Sequence, residues 1–255
     1  METKNKIKEK TDTPLNVNII SFGGGVNSTA MIIEMFNRNI KIDEIIFADT
    51  YDEMPETYDF MKSFKTWIES HDLKLTTVES HLGGLKDHYF SKNIIPYRMF
   101  RSCTDKFKIR PIKKYLKEQY GDLKNVNMYL GIDYGEKKRV KENDVYNSLN
   151  YPLVDWKIDR EACKDIIKQE GLEVPIKSGC YFCPFQTKKK WIELLNTHPE
   201  LFEQSFVFEE NCTAFPEGTF TDMPLRKLMR ISKEQTNLKD FLEPIKVEKC
   251  VYCHL

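Results

Sequence analysis

The sequence predicts an α/β protein built on a doubly wound parallel sheet, and three observations carry that expectation. Short β-rich runs alternate with helix-periodic segments across residues 17–78; the first run stops at a triple glycine; and the second ends on an acidic residue ahead of a helix-starting proline. Val17-Asn18-Ile19-Ile20-Ser21-Phe22 is the first strand, broken by Gly23-Gly24-Gly25. From Ser28 to Asn37 the apolar residues Ala30, Ile32, Ile33, Met35 and Phe36 describe a helix with one face on a sheet. Glu44 to Ala48 is a second strand ending at Asp49-Thr50, and Pro55 opens a helix that runs to about His71. Leu73 to Val78 is a third strand, Pro111 to Tyr120 a helix, and Val126 to Gly131 another buried strand. In a sheet of this kind ligands sit at the carboxyl ends of the strands.

From about Tyr151 the texture changes to a helix over Asp159–Glu170 and a polar remainder with cysteine-bearing loops. The expected division is a nucleotide-binding α/β domain over 15–150 and a helical, cysteine-bearing region over 151–255. A chain of 255 residues buries a sizeable core. Lys plus Arg and Asp plus Glu both number 39, so no global basic field draws in nucleic acid, and such a partner needs a local patch. No apolar run approaches the roughly 20 residues that span a bilayer, and the charged start METKNKIKEKTDTP lacks the apolar centre of a secretory signal. A cytoplasmic location without membrane attachment is the expectation. In that reducing compartment the seven cysteines read as free thiols, metal ligands or redox groups.

The segment Ser21-Phe22-Gly23-Gly24-Gly25-Val26-Asn27-Ser28-Thr29 carries the most chemistry. Glycines let successive N–H groups turn inward and the backbone approach a phosphate, the helix start adds partial positive charge, and Ser28 and Thr29 add hydroxyls. At the second strand end, Asp49 can accept hydrogen bonds from a ribose hydroxyl or an adenine amino group, or else cap the following turn. Arg98, Arg101, Lys106, Lys108 and Arg110 surround Cys103, with Tyr97, Phe100 and Phe107 interleaved, a composition that can hold phosphates and stack on bases. Arg139 can clamp a phosphate bidentately. Cys180-Tyr181-Phe182-Cys183 and Cys250-Val251-Tyr252-Cys253 are two Cys-x-x-Cys pairs, together the four soft ligands that zinc or an iron–sulfur cluster takes. Cys163 and Cys212 have no partner at ligand spacing and read as structural, and His198 and His254 are isolated.

The glycine segment resembles the PP-loop, Ser-Gly-Gly-x-Asp-Ser, of the ATP pyrophosphatases and phosphoadenosine phosphosulfate (PAPS) reductases. Gly24, Gly25 and Ser28 match, Gly23 stands for the first serine, and Asn27 for the aspartate. Asp49-Thr50 with Pro55-Glu56-Thr57 is similar to that family's Asp-Thr-Gly…Pro-Glu-Thr, with Tyr51 in the glycine's place, and Lys108-Ile109-Arg110-Pro111 fits its Lys-x-x-Pro. Gly131-Ile132-Asp133 to Arg139 is similar to Gly-x-Arg-x-x-Glu-x-x-Arg, with Asp133 replacing the first arginine. Ser178-Gly179-Cys180-x-x-Cys183-Pro184 looks like the segment that holds a 4Fe–4S cluster in some members.

The resemblance implies a PP-loop fold with a helical C-terminal region, and an adenine nucleotide, ATP or PAPS, with magnesium as a further cofactor. Ser21, Gly23, Gly24, Gly25, Asn27, Ser28 and Asp49 would hold the nucleotide, and Cys103 and Arg139 would serve catalysis. Cys180, Cys183, Cys250 and Cys253 would hold an iron–sulfur cluster or zinc, Cys103 competing with the C-terminal pair to complete the site. The activity it favours is ATP-dependent adenylation, releasing pyrophosphate, coupled to sulfur transfer to a base or nucleic acid. Reductive cleavage of PAPS or adenylyl sulfate is the alternative enzyme, and a nucleotide-sensing accessory protein the non-catalytic one. A sulfur-donor protein and self-association are further expected partners.

Overall fold

The structure, a computed structural model, describes residues 16–142, 145–213, 219–221 and 223–234. Cys250, Cys253 and His254 lie outside them. Five parallel strands form one sheet in the order β3-β2-β1-β4-β5: β1 Val17–Phe22, β2 Glu44–Asp49, β3 Leu75–Glu79, β4 Val126–Leu130 and β5 Ser148–Asn150. The helices are α1 Val26–Asn37, α2 Pro55–Ser70, α3 Leu85–Phe90, α4 Ser102–Thr104, α5 Arg110–Tyr120, α6 Pro152–Asp155, α7 Arg160–Gln169, α8 Lys188–Thr197, α9 Pro199–Glu210 and α10 Leu225–Glu234.

Both faces of the sheet are covered, which is why the strands read as nearly continuous apolar runs. Side chains alternate, so Ile20, Phe22, Ile45 and Phe47 pack under Met31, Phe64, Cys163 and Ile167 on one face. Ile19, Ile46 and Met128 meet Ile112 and Leu116 on the other. A separate aromatic core, with Tyr89, Phe107, Phe182, Trp191, Phe202 and Phe220, ties α3, the cysteine loop and α8–α10 together. Cys163 is buried in the first core, in agreement with a structural role.

At the amino end of β2, Glu44 is fully buried yet satisfied. It accepts from Tyr115 Oη at 2.7 Å, Tyr120 Oη at 2.8 Å, Thr76 and Lys74, pinning α5 and β3 to the sheet. Burial by itself raises its carboxyl, but the four donors outweigh that and hold it below the usual range. Its contribution to stability is therefore present above the ordinary carboxylate pKa and lost as pH falls through the lowered one.

Strand order runs outward in opposite directions from the β1–β4 pair, so the crevice beyond the carboxyl ends of β1 and β4 is the topological switch point. Gly23–Gly25 leave β1 there and Gly131 leaves β4.

Candidate functional site

The glycine loop is built so that no side chain fills it. Gly24 has φ +68°, and a Cβ on it would stand 3.0 Å from Thr57 Cγ2. Gly25 caps α1 without a side chain, so the first-turn N–H groups remain available to an anion. Ser28 is turned inward: its hydroxyl donates to Gly25 O at 3.2 Å and accepts from Gly23 N at 3.3 Å, folding the loop over the helix start. Thr29 Oγ1 also donates to Gly25 O, at 3.0 Å. Across the crevice Gly131 presses on the same turn, where an added Cβ would lie 2.6 Å from Ser28 Cα.

Asn27 is buried and its side chain joins a polar chain. Its Nδ2 donates to Asp133 Oδ2 at 2.8 Å, and its Oδ1 accepts from Arg160 Nη1 at 3.1 Å. Asp133 Oδ1 accepts from Glu136 N at 3.0 Å, capping the 3₁₀ turn Tyr134–Arg139. Asn27, which departs from the PP-loop pattern, and Asp133, which departs from the Gly-x-Arg-x-x-Glu-x-x-Arg pattern, are thus bonded to each other. Arg139 lies on the exposed side of that turn, paired with Glu136 at 2.7 Å.

At the end of β2, Asp49 Oδ1 accepts from Tyr51 N and Tyr58 Oη, both at 2.8 Å. Asp49 therefore turns the loop, and its Oδ2 makes no hydrogen bond among the described residues. Tyr51 sits at φ +66°, the left-handed region a glycine would occupy, so the backbone keeps the shape of the family's glycine despite the side chain. Tyr51→Gly is expected to stabilise the protein by about 1 kcal/mol through relief of that strain, measured by urea denaturation; a loss of stability would mean that the tyrosine ring contributes more than its backbone costs.

Asp52 is 7% exposed and lines a cavity of about 440 Å³ together with Tyr51, Tyr58, Lys86 and Tyr181. Burial raises its carboxyl to about 6, opposed by the Lys86 N–H that it accepts at 2.7 Å. A folded value above the unfolded 3.8 means that stability is full below the unfolded pKa and is lost as pH rises through about 6. Asp52→Asn should flatten that part of the profile and raise stability at neutral pH by on the order of 2–3 kcal/mol. Denaturation midpoints at several pH values check this, and an unchanged pH profile would contradict it.

The cysteine loop docks directly on this crevice. A Cβ at Gly25 would stand 2.7 Å from Ser178 Oγ. Residues 52–54 pair with 179–181 through Met54 N to Gly179 O at 3.2 Å and Tyr181 N to Asp52 O at 3.0 Å. Cys180 Sγ lies 3.5 Å from Thr50 Oγ1. Glu53, buried at the centre, accepts from Lys108 Nζ at 2.7 Å, while its Oε2 is buried without a partner. Burial pulls the Lys108 ammonium down, but the Glu53 carboxylate and Cys180 push it up more strongly. Burial raises the Cys180 thiol well above its usual range, reinforced by Glu53 and opposed by Lys108 and Thr50, and burial likewise raises Cys183, with Cys103 adding to it.

The basic segment turns largely inward. Arg98 Nε donates to Pro184 O, the Arg101 guanidinium stands 5.1 Å over the Phe185 ring, and Lys108 meets Glu53, whereas Arg110 pairs with Asp105 at the surface. Phe107 is in the core, and Phe100, 69% exposed, is the aromatic left for a partner in this segment. The described residues contain no group of three or more His, Cys, Asp or Glu side chains arranged to hold a metal ion. Within them the Cys180–Cys183 pair therefore does not complete a metal site. His198, isolated in sequence, donates from Nε2 to Glu56 Oε1 at 2.8 Å, at the start of α2. Arg160 and the Glu53–Lys108 pairing had no spacing signal, because each partner is brought in from a distant element, and Ser178, visible in the cysteine segment, gave no sign that it seats on Gly25.

A glycine cradle at the switch point of a doubly wound parallel sheet defines a nucleotide-binding α/β protein. The model of the phosphoadenosine phosphosulfate reductase domain matches residues 17–157, and the chain belongs to that family of nucleotide-binding enzymes. Among curated proteins it is 28% identical over 197 residues to MJ0973 of Methanocaldococcus jannaschii, covering 72% of this chain and 45% of that one. It is 26% identical over 204 residues to the nin region protein ORF290 of Escherichia phage lambda, covering 68% of each. The chain spans less than half the length of MJ0973 and of MJ0066, a second protein of the same archaeon. Among solved structures it is similar to the U34-tRNA thiolase NcsA of Methanococcus maripaludis with its 4Fe–4S cluster, at TM-score 0.41 and 14% identity over 94% of this chain and 80% of that one. The NMN synthetase of Francisella tularensis aligns at TM-score 0.35 and 10% identity over 76% and 87%. No described helix is long and apolar enough to cross a membrane.

Proposed function

We propose that this chain binds ATP in the glycine loop, adenylates a carbonyl oxygen of an acceptor and supports replacement of that oxygen by sulfur on a base or nucleic acid. The observation that carries the reading is the seating of the cysteine loop on the phosphate cradle, with Ser178 against Gly25 and Cys180 beside Thr50 at the end of β2. Thiol chemistry and nucleotide chemistry then share one crevice.

In the reaction the acceptor oxygen attacks the α-phosphorus, a P–O bond forms, and the α–β bridging bond breaks to release pyrophosphate. Hydrosulfide or a donor's equivalent then adds at the activated carbon and AMP leaves with the oxygen. No net oxidation occurs. Gly23, Gly24, Gly25 and Ser28 shape the cradle of the departing pyrophosphate, whose oxygens the uncapped N–H groups at the start of α1 would take, joined by the Gly23 N–H and Ser28 O–H once these turn from their partners within the loop. Asp49 would take the nucleoside through Oδ2, since its Oδ1 accepts from Tyr51 N and Tyr58 Oη. Magnesium bound with the nucleotide would supply positive charge to the departing pyrophosphate, and no step is routed through it. Arg139, at the surface turn, needs to leave Glu136 to reach a phosphate. Cys103, half-buried and packed like Cys180 against the aromatic core, would be a further thiol for this chemistry. Ligation of a cluster or zinc by Cys180 and Cys183 with Cys250 and Cys253 rests on Cys-x-x-Cys spacing, and no step is routed through it.

Because the family takes its name from PAPS reduction, sulfite release from PAPS with a dithiol reductant is the competing activity. One assay separates the two: anaerobically prepared protein is given ATP, sulfide and a pool of RNA, or PAPS and dithiothreitol. Pyrophosphate and AMP formed only in the first mixture, with sulfur retained in RNA, support thiolation. Sulfite formed only in the second overturns it in favour of reduction.

A further inference from the structure

The family pattern places an aspartate in the loop and an arginine after the strand that follows. Here those positions hold Asn27 and Asp133, so the crevice has lost the arginine and kept one carboxylate on the opposite side. The structure shows what accompanies the exchange. Asn27 Nδ2 donates to Asp133 Oδ2 at 2.8 Å, and Arg160 Nη1, from the first residue of α7, donates to Asn27 Oδ1 at 3.1 Å. The three residues stand 106 and 133 positions apart in sequence and contribute one negative and one positive charge, the same total as an aspartate facing an arginine. Arg160 forms no other hydrogen bond among the described residues, so four of its five donors are uncommitted. It is held at the first turn of α1, which is the end of that helix where an anion binds.

We infer that Arg160 is the phosphate-contacting cation of the nucleotide site, transferred from the end of β4 to the start of α7. One guanidinium N–H holds Asn27 and tethers the group beside the first turn of α1, and the remaining donors are left for the phosphates. Asp133 keeps the Asn27 amide in the orientation that turns its oxygen to Arg160. This inference rests on the reading that the loop binds a nucleotide, and it names the residue that discriminates charged from uncharged forms of that ligand.

The test is titration of the full chain with ATP, inorganic pyrophosphate and adenosine. Arg160→Ala should weaken ATP and pyrophosphate by tenfold or more and leave adenosine within about twofold, with the ligand-free protein still folded and its melting temperature lowered by no more than a few degrees through the Asn27 oxygen left without its donor. Arg160→Lys, which retains charge without the fork, should fall between. Asn27→Asp with Asp133→Arg, introduced into Arg160→Ala, should recover most of the lost affinity by restoring the cation at the end of β4. An equal loss for adenosine and ATP would reduce Arg160 to a packing residue and overturn the inference, as would ATP binding unaffected by Arg160→Ala. Failure of wild-type protein to bind either ATP or pyrophosphate overturns the nucleotide reading itself and this inference with it. Should the triple variant not fold, the Arg160→Ala and Arg160→Lys titrations still decide.

Discussion

Lys108→Ala should destabilise the protein by about 3 kcal/mol, because it leaves the Glu53 carboxylate buried without its cation. The Glu53 side chain is 0% exposed while Lys108 is 33% exposed, so the carboxylate bears the larger desolvation and the value lies at the lower end for a broken buried pair. Glu53 Oε2 already lacks a partner, and removal of Lys108 leaves only the long 3.5 Å bond from Thr50 Oγ1. For a chain of this size a fall of about 6–12 °C in melting temperature is expected. Adding Glu53→Gln to Lys108→Ala should recover most of that loss, since the buried charge is then gone as well. A Lys108→Ala variant within 1 °C of wild type, or a double variant no better than the single, would show that the pair does not hold the crevice together.

Gly131→Ala tests the other wall. The new Cβ would stand 2.6 Å from Ser28 Cα and 2.7 Å from Ser28 N, both backbone atoms at the start of α1, so no rotamer change can make room. Either β4 or α1 must shift, at a cost of about 2–3 kcal/mol, and the shift lands on the loop that folds through Ser28. ATP affinity should fall at least tenfold in titrations of the folded variant. Gly121→Ala is the control: with φ +75° and open space around it, it costs only backbone strain of about 1 kcal/mol and leaves affinity unchanged. Equal behaviour of the two variants would mean that the close approach of β4 to α1 does not shape the cradle.

The parts of this fold that were legible in sequence are those with a local cause. β1, β2 and α2 fall within two residues of their expected bounds because apolar runs end at glycine or aspartate and a proline starts the helix. β5 was not read, since Ser148-Leu149-Asn150 is a three-residue, half-exposed strand without an apolar run. α3 and the π-helical turn Asp105–Ile109 were hidden for a similar reason: they are short and stabilised by the aromatic core rather than by their own periodicity. The glycine loop was visible because a backbone requirement is written in residue type. The same requirement explains Tyr51, which keeps a left-handed φ where the pattern has glycine.

What sequence could not give was the company that each site residue keeps. Asn27 reads as a loss from the PP-loop and Asp133 as a loss from the Gly-x-Arg-x-x-Glu-x-x-Arg segment, and only their mutual hydrogen bond and the arrival of Arg160 make them one substitution. The basic stretch around Cys103 read as a surface for phosphates, whereas Arg98, Arg101 and Lys108 brace the cysteine loop from within. The Cys-x-x-Cys spacing of Cys180 and Cys183 was plain, but not that their loop lies on Gly25.

The most direct test of the account is amide hydrogen exchange of the full chain with and without ATP. A nucleotide held in the glycine cradle should slow exchange at residues 23–29, at 49–53 and at 131–136, which flank the β1–β4 switch point and the end of β2, and leave α8–α10 unchanged. Protection confined to other segments, or none at saturating ATP, would contradict the assignment of the nucleotide to this crevice.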